Sequence, residues 1–293
     1  MTAPRSIVKG TTYLVTRRCL RQKSLLRPGK VPNQVFGYLL AMAAARSGVK
    51  VHAFCMLSNH FHLVVTDPDA NLPRFHQYLD SLVARAINAL YGLWDTFWDP
   101  DSYNATALDS PDVVLDRCAY VLANPVAAGL VAKARKWPGP WSSPADVGRK
   151  LQFELPAHFF NPKGYLPKKA GLLLSMPPGF ASLEEFRARL EAALAEREAK
   201  AASERSGFLG VARILKQRVL DRPASRERRR RLKPRFAARD HGRRLEQARR
   251  LKAFLAEYRE ALLAWREGKR DVVFPEGTYH MRVAHLAVCA GAG

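Results

Sequence analysis

The chain has 293 residues, room for one large or two modest domains, and 47% of them are apolar, enough for a real core. Its 48 Lys and Arg against 26 Asp and Glu leave a formal charge of +22, which points to a polyanionic partner, nucleic acid before an anionic membrane. Four cysteines with no Cys-x-x-Cys pairing exclude a secreted disulfide scaffold, and neither a signal peptide nor a run of about eighteen apolar residues is present, so the expectation is a reduced, cytoplasmic protein, nucleoid-associated when bound to DNA.

In chain order, Thr11 to Cys19 alternates as a strand does, and Arg17, Arg18 and Arg21 put positive charge at its end, where phosphates could be met. Pro32 to Ser47 carries Val35, Leu39, Met42 and Ala43 on one stripe and is followed by Gly48, an amphipathic helix with a glycine stop. Val49 to Leu57 and His60 to Val65 are two apolar runs joined by Ser58-Asn59, which predicts an antiparallel hairpin. Side chains alternate along a strand, so His60 and His62 share one face while Phe61, Leu63 and Val65 share the other. Two imidazoles on one face make half a metal site.

Asp67-Pro68-Asp69 reads as a turn and Leu72 to Leu90 as a second helix, with His76 structural. Trp94 to Leu108 reads as an aromatic-rich loop and a short strand. Ser110 as N-cap, Pro111 at the first helical position and Asp112 at the positive end open a third helix, which Asn124-Pro125 is expected to stop. Tyr120 and Asn124 are four apart on it and share a face. Strand, helix, strand, strand, helix, strand is the order of an α+β, ferredoxin-like antiparallel sheet with helices packed on one face, leaving the other free to meet a nucleic acid.

His60-Phe61-His62 followed by the run from Tyr120 through Asn124-Pro125 to Val131 resembles the single-tyrosine HUH transposases, and more narrowly the REP-associated tyrosine transposases. The resemblance extends from Tyr13 to Trp137-Pro138-Gly139-Pro140-Trp141-Ser142-Ser143, about half the chain. It implies a DNA strand transferase acting on single-stranded or hairpin ends. His60, His62 and Asn124 would hold a divalent metal (Mg²⁺ or Mn²⁺), and Tyr120 would be the nucleophile that forms a 5′-phosphotyrosine and frees a 3′-hydroxyl. Two alternatives stay open: a domesticated DNA-binding protein that lost the chemistry, and a metal nuclease that activates water. Monomer and homodimer are both compatible with the sequence, as are use of Tyr120 in its own subunit or a neighbour's.

Composition changes after Ser143, and Asn161-Pro162-Lys163-Gly164 and Met176-Pro177-Pro178-Gly179 read as a connector, so a catalytic domain over 1–150 and a basic, mainly helical extension over 151–293 are expected. Helices are predicted from Ser182 towards Lys200, over Gly207 to Gln217 and over Leu245 to Trp265. Between Arg213 and Lys252 seventeen Lys or Arg face four acidic residues, and Arg228, Arg229, Arg230 and Arg231 are consecutive. Such a run suits DNA contact. Six phosphate contacts on a single strand would give log affinity a slope of roughly −4 against log salt.

Overall fold

A computed structural model describes residues 4–100, 102–223 and 234–291. In chain order the elements are β1 (Thr11–Arg18), α1 (Lys30–Ser47), β2 (Lys50–Met56), β3 (His60–Asp67), α2 (Leu72–Tyr91), β4 (Asn104–Leu108), α3 (Pro111–Ala127), β5 (Lys150–Glu154), β6 (Lys169–Leu173), α4 (Leu183–Ser203), α5 (Val211–Lys216), β7 (Phe236–Ala237), α6 (His241–Arg266) and α7 (Tyr279–Ala284). The first four strands lie side by side as β2-β3-β1-β4, each antiparallel to its neighbour. That order is the ferredoxin-like α+β fold. β7 extends the sheet by pairing parallel to β4.

Local chemistry sets the boundaries. α1 ends where Gly48 takes a left-handed φ of 76° and its N–H returns to the Ala44 carbonyl. At the start of α2 the Asp67 carboxylate accepts from the backbone N–H groups of Asn71 and Leu72 at 2.8 and 2.7 Å, satisfying donors that a helix start leaves open. Between β2 and β3, Leu57 N–H donates to the His60 carbonyl at 2.8 Å across the two-residue Ser58-Asn59 turn, as the sequence predicts.

Alternation gives the sheet two different faces. Tyr13, Val15, Phe54, Met56, Phe61, Leu63 and Val65 enter the core shared with α1 and α2. Ala53, Cys55, Leu57 and Val64 point the other way, into a second core with α3 and α4. Here the structure departs from the sequence reading, because the face expected to be free is covered. Val114, Cys118, Val121 and Leu122 of α3 are buried on it, and the small Ala53 and Cys55 let the helix lie close.

α3 also runs past its expected stop. Pro125 lies inside it and the Ala128 N–H still reaches the Asn124 carbonyl at 2.9 Å, because proline removes one donor while the buried Val126 anchors the final turn.

Beyond residue 150 the chain is mainly helical, with one hairpin read from sequence as connector. β5 and β6 pair from Lys150↔Leu173 to Glu154↔Lys169 and pack on α1. The alternation of Leu151 and Phe153 was its signal. Gly37 of α1 is what admits it, since a Cβ there would overlap the Phe153 ring. α4 lies along α3, burying Phe186, Leu190 and Leu194, so the residues after 150 complete both cores. α6 begins four residues before the expected Leu245, capped by Asp240 accepting from Arg243 N–H at 2.8 Å. Its C-terminal half forms a small separate cluster with Phe274, Met281 and Cys289. All four cysteines are buried and unpaired, and among the described residues no helix is long and apolar enough to cross a membrane.

Candidate active site

β3 starts with His60 and puts His62 on the same face, towards α3. Their rings meet edge to face, with centroids 4.7 Å apart. The cross-strand partners on β1 are Arg18 for His60 and Thr16 for His62, and opposed residues share a face. Each imidazole is tied by Nδ1, His62 to Thr16 Oγ1 at 2.8 Å and His60 to Asn59 Oδ1 at 2.6 Å. Asn59 Oδ1 can only accept, so His60 carries its proton on Nδ1 and keeps a lone pair on Nε2; the Thr16 hydroxyl allows the same tautomer at His62. Among the described residues neither Nε2 has a hydrogen-bond partner.

Burial pushes His62 down to about 3, helped by the positive charge of Arg18. His60 is held well below the usual imidazole range by burial first, then by His62 and Arg18. Both are therefore neutral at physiological pH, the form that ligates metals. Among the described residues no cluster of three or more His, Cys, Asp or Glu is suited to a metal.

α3 brings Tyr120 to this pair. Its ring stands edge-on to His62 of the same chain, centroids 5.5 Å apart and planes at 73°. Neither the Tyr120 hydroxyl nor the Asn124 carboxamide has a hydrogen-bond partner among the described residues. Because α3 continues through Pro125, Asn124 keeps its place one turn beyond Tyr120 on the same face. One turn earlier, the Arg117 guanidinium sits 6.0 Å from the Tyr120 ring centroid, a cation at the phenol's face.

The helix is clamped at this level. The segment after it lines the free edge of β2, with Met56 N–H donating to Pro140 O at 2.9 Å and Ser142 N–H to Phe54 O at 3.0 Å. From there the Trp141 indole donates to the Leu122 carbonyl at 2.9 Å, between Tyr120 and Asn124, and the Trp137 indole to Met56 O at 2.9 Å. Sequence reasoning missed Thr16, Asn59, Arg117 and Trp141 as parts of the site. Adjacency to His60 could have found Asn59, and the three-residue spacing from Tyr120 could have found Arg117; only the strand register shows Thr16.

The arginines expected to meet DNA separate. Arg18 lies on the histidine face. Arg17 points to the opposite face, 3.4 Å from Asp80 of α2 and 5.6 Å from the Trp98 ring centroid. Arg228, Arg229, Arg230 and Arg231 lie outside the described residues. On either side of them the Asp221 carbonyl accepts from Ser24 N–H at 2.9 Å and the Pro234 carbonyl from Thr106 Oγ1 at 3.1 Å. Of the aromatics left between stacking and core, Phe97 and Trp98 are buried, and Trp94 is 97% exposed.

No family model and no curated relative matches the sequence. Among solved structures, the chain is similar to a REP-associated tyrosine transposase bound to a REP hairpin, at 20% identity over 47% of this chain and 81% of that one, with a TM-score of 0.40. It is also similar to a candidate transposase from Deinococcus radiodurans R1, at 18% identity over 38% of this chain and 88% of that one, with a TM-score of 0.28.

Proposed function

We propose that this protein is a metal-dependent DNA strand transferase that cleaves and rejoins single-stranded DNA through Tyr120. The observation that carries the reading is the meeting of Tyr120 with its own chain's His62, beside a second, neutral imidazole whose Nε2 is likewise unengaged.

The donor set fits a divalent ion held by the Nε2 atoms of His60 and His62 and the amide oxygen of Asn124, with Mg²⁺ or Mn²⁺ the expected choice. When bound, such an ion polarises a nonbridging oxygen of the scissile phosphodiester and offsets its charge. Thr16 and Asn59 hold the imidazoles in the tautomer that presents Nε2. Arg18 on the same face adds positive charge for a phosphate.

Tyr120 then attacks phosphorus. The bond from its phenolic oxygen to phosphorus forms, the bond from phosphorus to the 3′ oxygen breaks, the phenol loses its proton and the leaving 3′ oxygen gains one. The products are a 5′-phosphotyrosine and a free 3′-hydroxyl. The phosphotyrosyl ester keeps the energy of the broken diester, so another 3′-hydroxyl can reverse the step and join new ends without ATP. The net charge of +22, with the arginine run at 228–231, supplies affinity for the strand. His60, His62 and Asn124 are all uncharged donors, so the DNA phosphate brings the negative charge that a divalent ion favours.

The test incubates the protein with an end-labelled single-stranded hairpin and Mg²⁺ or Mn²⁺, followed by denaturing electrophoresis. Label is expected to migrate with wild-type protein and not with Tyr120→Phe. Cleavage that survives Tyr120→Phe would replace this reading with a water-activating nuclease, and binding without cleavage in either metal would replace it with a DNA-binding protein.

A further inference from the structure

On the face of the sheet away from Tyr120, a cleft of about 570 Å³ opens between β1, α2 and the C-terminal residues, within the roughly 300–1,000 Å³ usual for small-ligand sites. Arg5, Arg17, His76, Asp80, Tyr103 and Tyr258 line it. They come from the chain's first residues, from the ferredoxin-like core and from α6, so the extension completes a wall that the core alone lacks.

The chemistry of the lining is specific. Arg5 Nη1, Arg17 Nε, both ring nitrogens of His76 and Asp80 Oδ1 are buried with no hydrogen-bond partner among the described residues. Their neighbours hold them without satisfying them. Arg5 donates through Nη2 to the Tyr103 carbonyl at 2.7 Å and lies 4.1 Å from that ring's centroid, while Asp80 Oδ2 is 3.4 Å from Arg17 Nε and 3.7 Å from His76 Nδ1. These atoms are closed to solvent, so a solute completes them only as their side chains turn towards the cleft. Two guanidinium groups against one carboxylate select an anion. Tyr103, Tyr258 and Tyr279 line the cleft and supply ring surface for a flat, apolar body, with the polar side chains of Asp80 and His76 beside them.

Anion, planar ring and a polar ring edge together describe one nucleotide. We propose that this cleft binds a single nucleoside 5′-monophosphate unit, its phosphate at Arg5 and Arg17 and its base against the tyrosines. The unit is either a free mononucleotide or one residue of a bound single strand. The inference does not require chemistry at Tyr120. Arg17 and Arg18 are consecutive, so β1 delivers one arginine to this cleft and the next to the histidine face.

The experiment titrates the full chain, with EDTA present, by isothermal calorimetry with each of the four 2′-deoxynucleoside 5′-monophosphates, inorganic phosphate and a short single-stranded oligonucleotide. Wild type is compared with Arg5→Gln and Tyr258→Ala, and thermal unfolding checks that each variant folds. Arg5 lies outside every helix and strand, so its variant carries the test should Tyr258→Ala not fold. At least one mononucleotide is expected to bind more tightly than phosphate, and the variants to weaken it by about tenfold or more, the scale of one charge-assisted hydrogen bond. Oligonucleotide affinity that falls in parallel identifies the occupant as part of a strand, and affinity that holds identifies it as free. A strand occupant is also supported if no mononucleotide binds but the oligonucleotide weakens about tenfold in the variants.

Phosphate that binds as tightly as every nucleotide would overturn the assignment. So would variants whose affinities for mononucleotide and oligonucleotide all match wild type. Binding is read in EDTA, where no metal-dependent adduct forms, which keeps the fate of this cleft separate from that of the catalytic reading.

Discussion

On the face that meets α1 and α2, β3 contributes Phe61, Leu63 and Val65 to a dry core; on the face that meets α3 it contributes His60, His62 and Val64. Both faces are packed, by different rules. The first is apolar from Phe61 to Val65 and ends on the Asp67 carboxylate that caps α2. The second is apolar where Val64, Ala53 and Cys55 lie under α3 and turns polar at the strand's first residues, where the two imidazoles meet Thr16, Arg18 and Tyr120. On the proposed function, stability and chemistry fall to alternate residues of one strand, and substitutions one position apart should have opposite signatures.

Phe61 and His62 make the sharpest test. Phe61 is fully buried between Phe36 and Trp98, at ring-centroid distances of 5.4 and 5.7 Å. Phe61→Ala is expected to cost about 3–5 kcal/mol of stability, as truncating a core aromatic does, while the molecules still folded form the Tyr120 adduct. His62→Ala should lose clearly less stability than Phe61→Ala and form no detectable adduct. Denaturant titration and adduct yield per folded molecule, measured on both, separate the faces. Comparable losses of stability in the two would show that the division by face is wrong.

A histidine away from the site gives the next largest effect, in acid. His52 sits at a bulge in β2, buried, with Nδ1 2.7 Å from the Ser175 carbonyl and Nε2 2.7 Å from Thr66 Oγ1, and burial pushes it down to about 4 from an ordinary 6.5. Between those values the unfolded chain binds a proton that the folded chain does not, so stability falls as pH drops from about 6.5 to about 4 and is unaffected by this group above that window. The loss amounts to roughly 3 kcal/mol. In His52→Gln the slope of unfolding free energy against pH across this window should flatten by about one proton's worth; an unchanged slope would mean that His52 is not held neutral.

Within the site, Thr16→Val removes the hydroxyl that orients His62 and leaves the strand intact. Groups in that position typically contribute about 10–100-fold to metal affinity or activity. Adduct formation titrated against Mn²⁺ should shift to higher concentration by about that factor, with little change at saturation. An unchanged Mn²⁺ dependence would assign Thr16 to the sheet alone.

Much of this was legible in the chain. The alternation of His60 to Val65 sets both faces of β3, and the four-residue spacing of Tyr120 and Asn124 sets one face of α3. Sequence could not show that α3 and α4 cover the second face, because the apolar residues of α3 fit a partner on either side of a sheet. Nor could it separate Arg17 from Arg18 by partner. Alternation says they diverge, but that Arg17 meets Asp80 depends on how α2 packs, which neither strand nor helix periodicity specifies. The stop expected at Asn124-Pro125 failed because proline's local penalty is one lost donor, and the burial of Val126 outweighs it.

The smallest expected effect concerns how α3 is held over the histidines. Trp141→Phe keeps an aromatic ring beside β2 and removes only the indole N–H that reaches the Leu122 carbonyl. That costs about 1 kcal/mol, the usual net value of one hydrogen bond. The bond lies between Tyr120 and Asn124, so its loss loosens the turn that sets their position against β3, and the adduct should form a few-fold more slowly with unchanged affinity for the hairpin. Thermal unfolding, hairpin binding and adduct rate on the same preparation read the three quantities apart. A variant that loses stability and keeps its rate would make Trp141 a fold residue only; a variant that loses rate at constant affinity would make the clamp part of how this face of the sheet does chemistry.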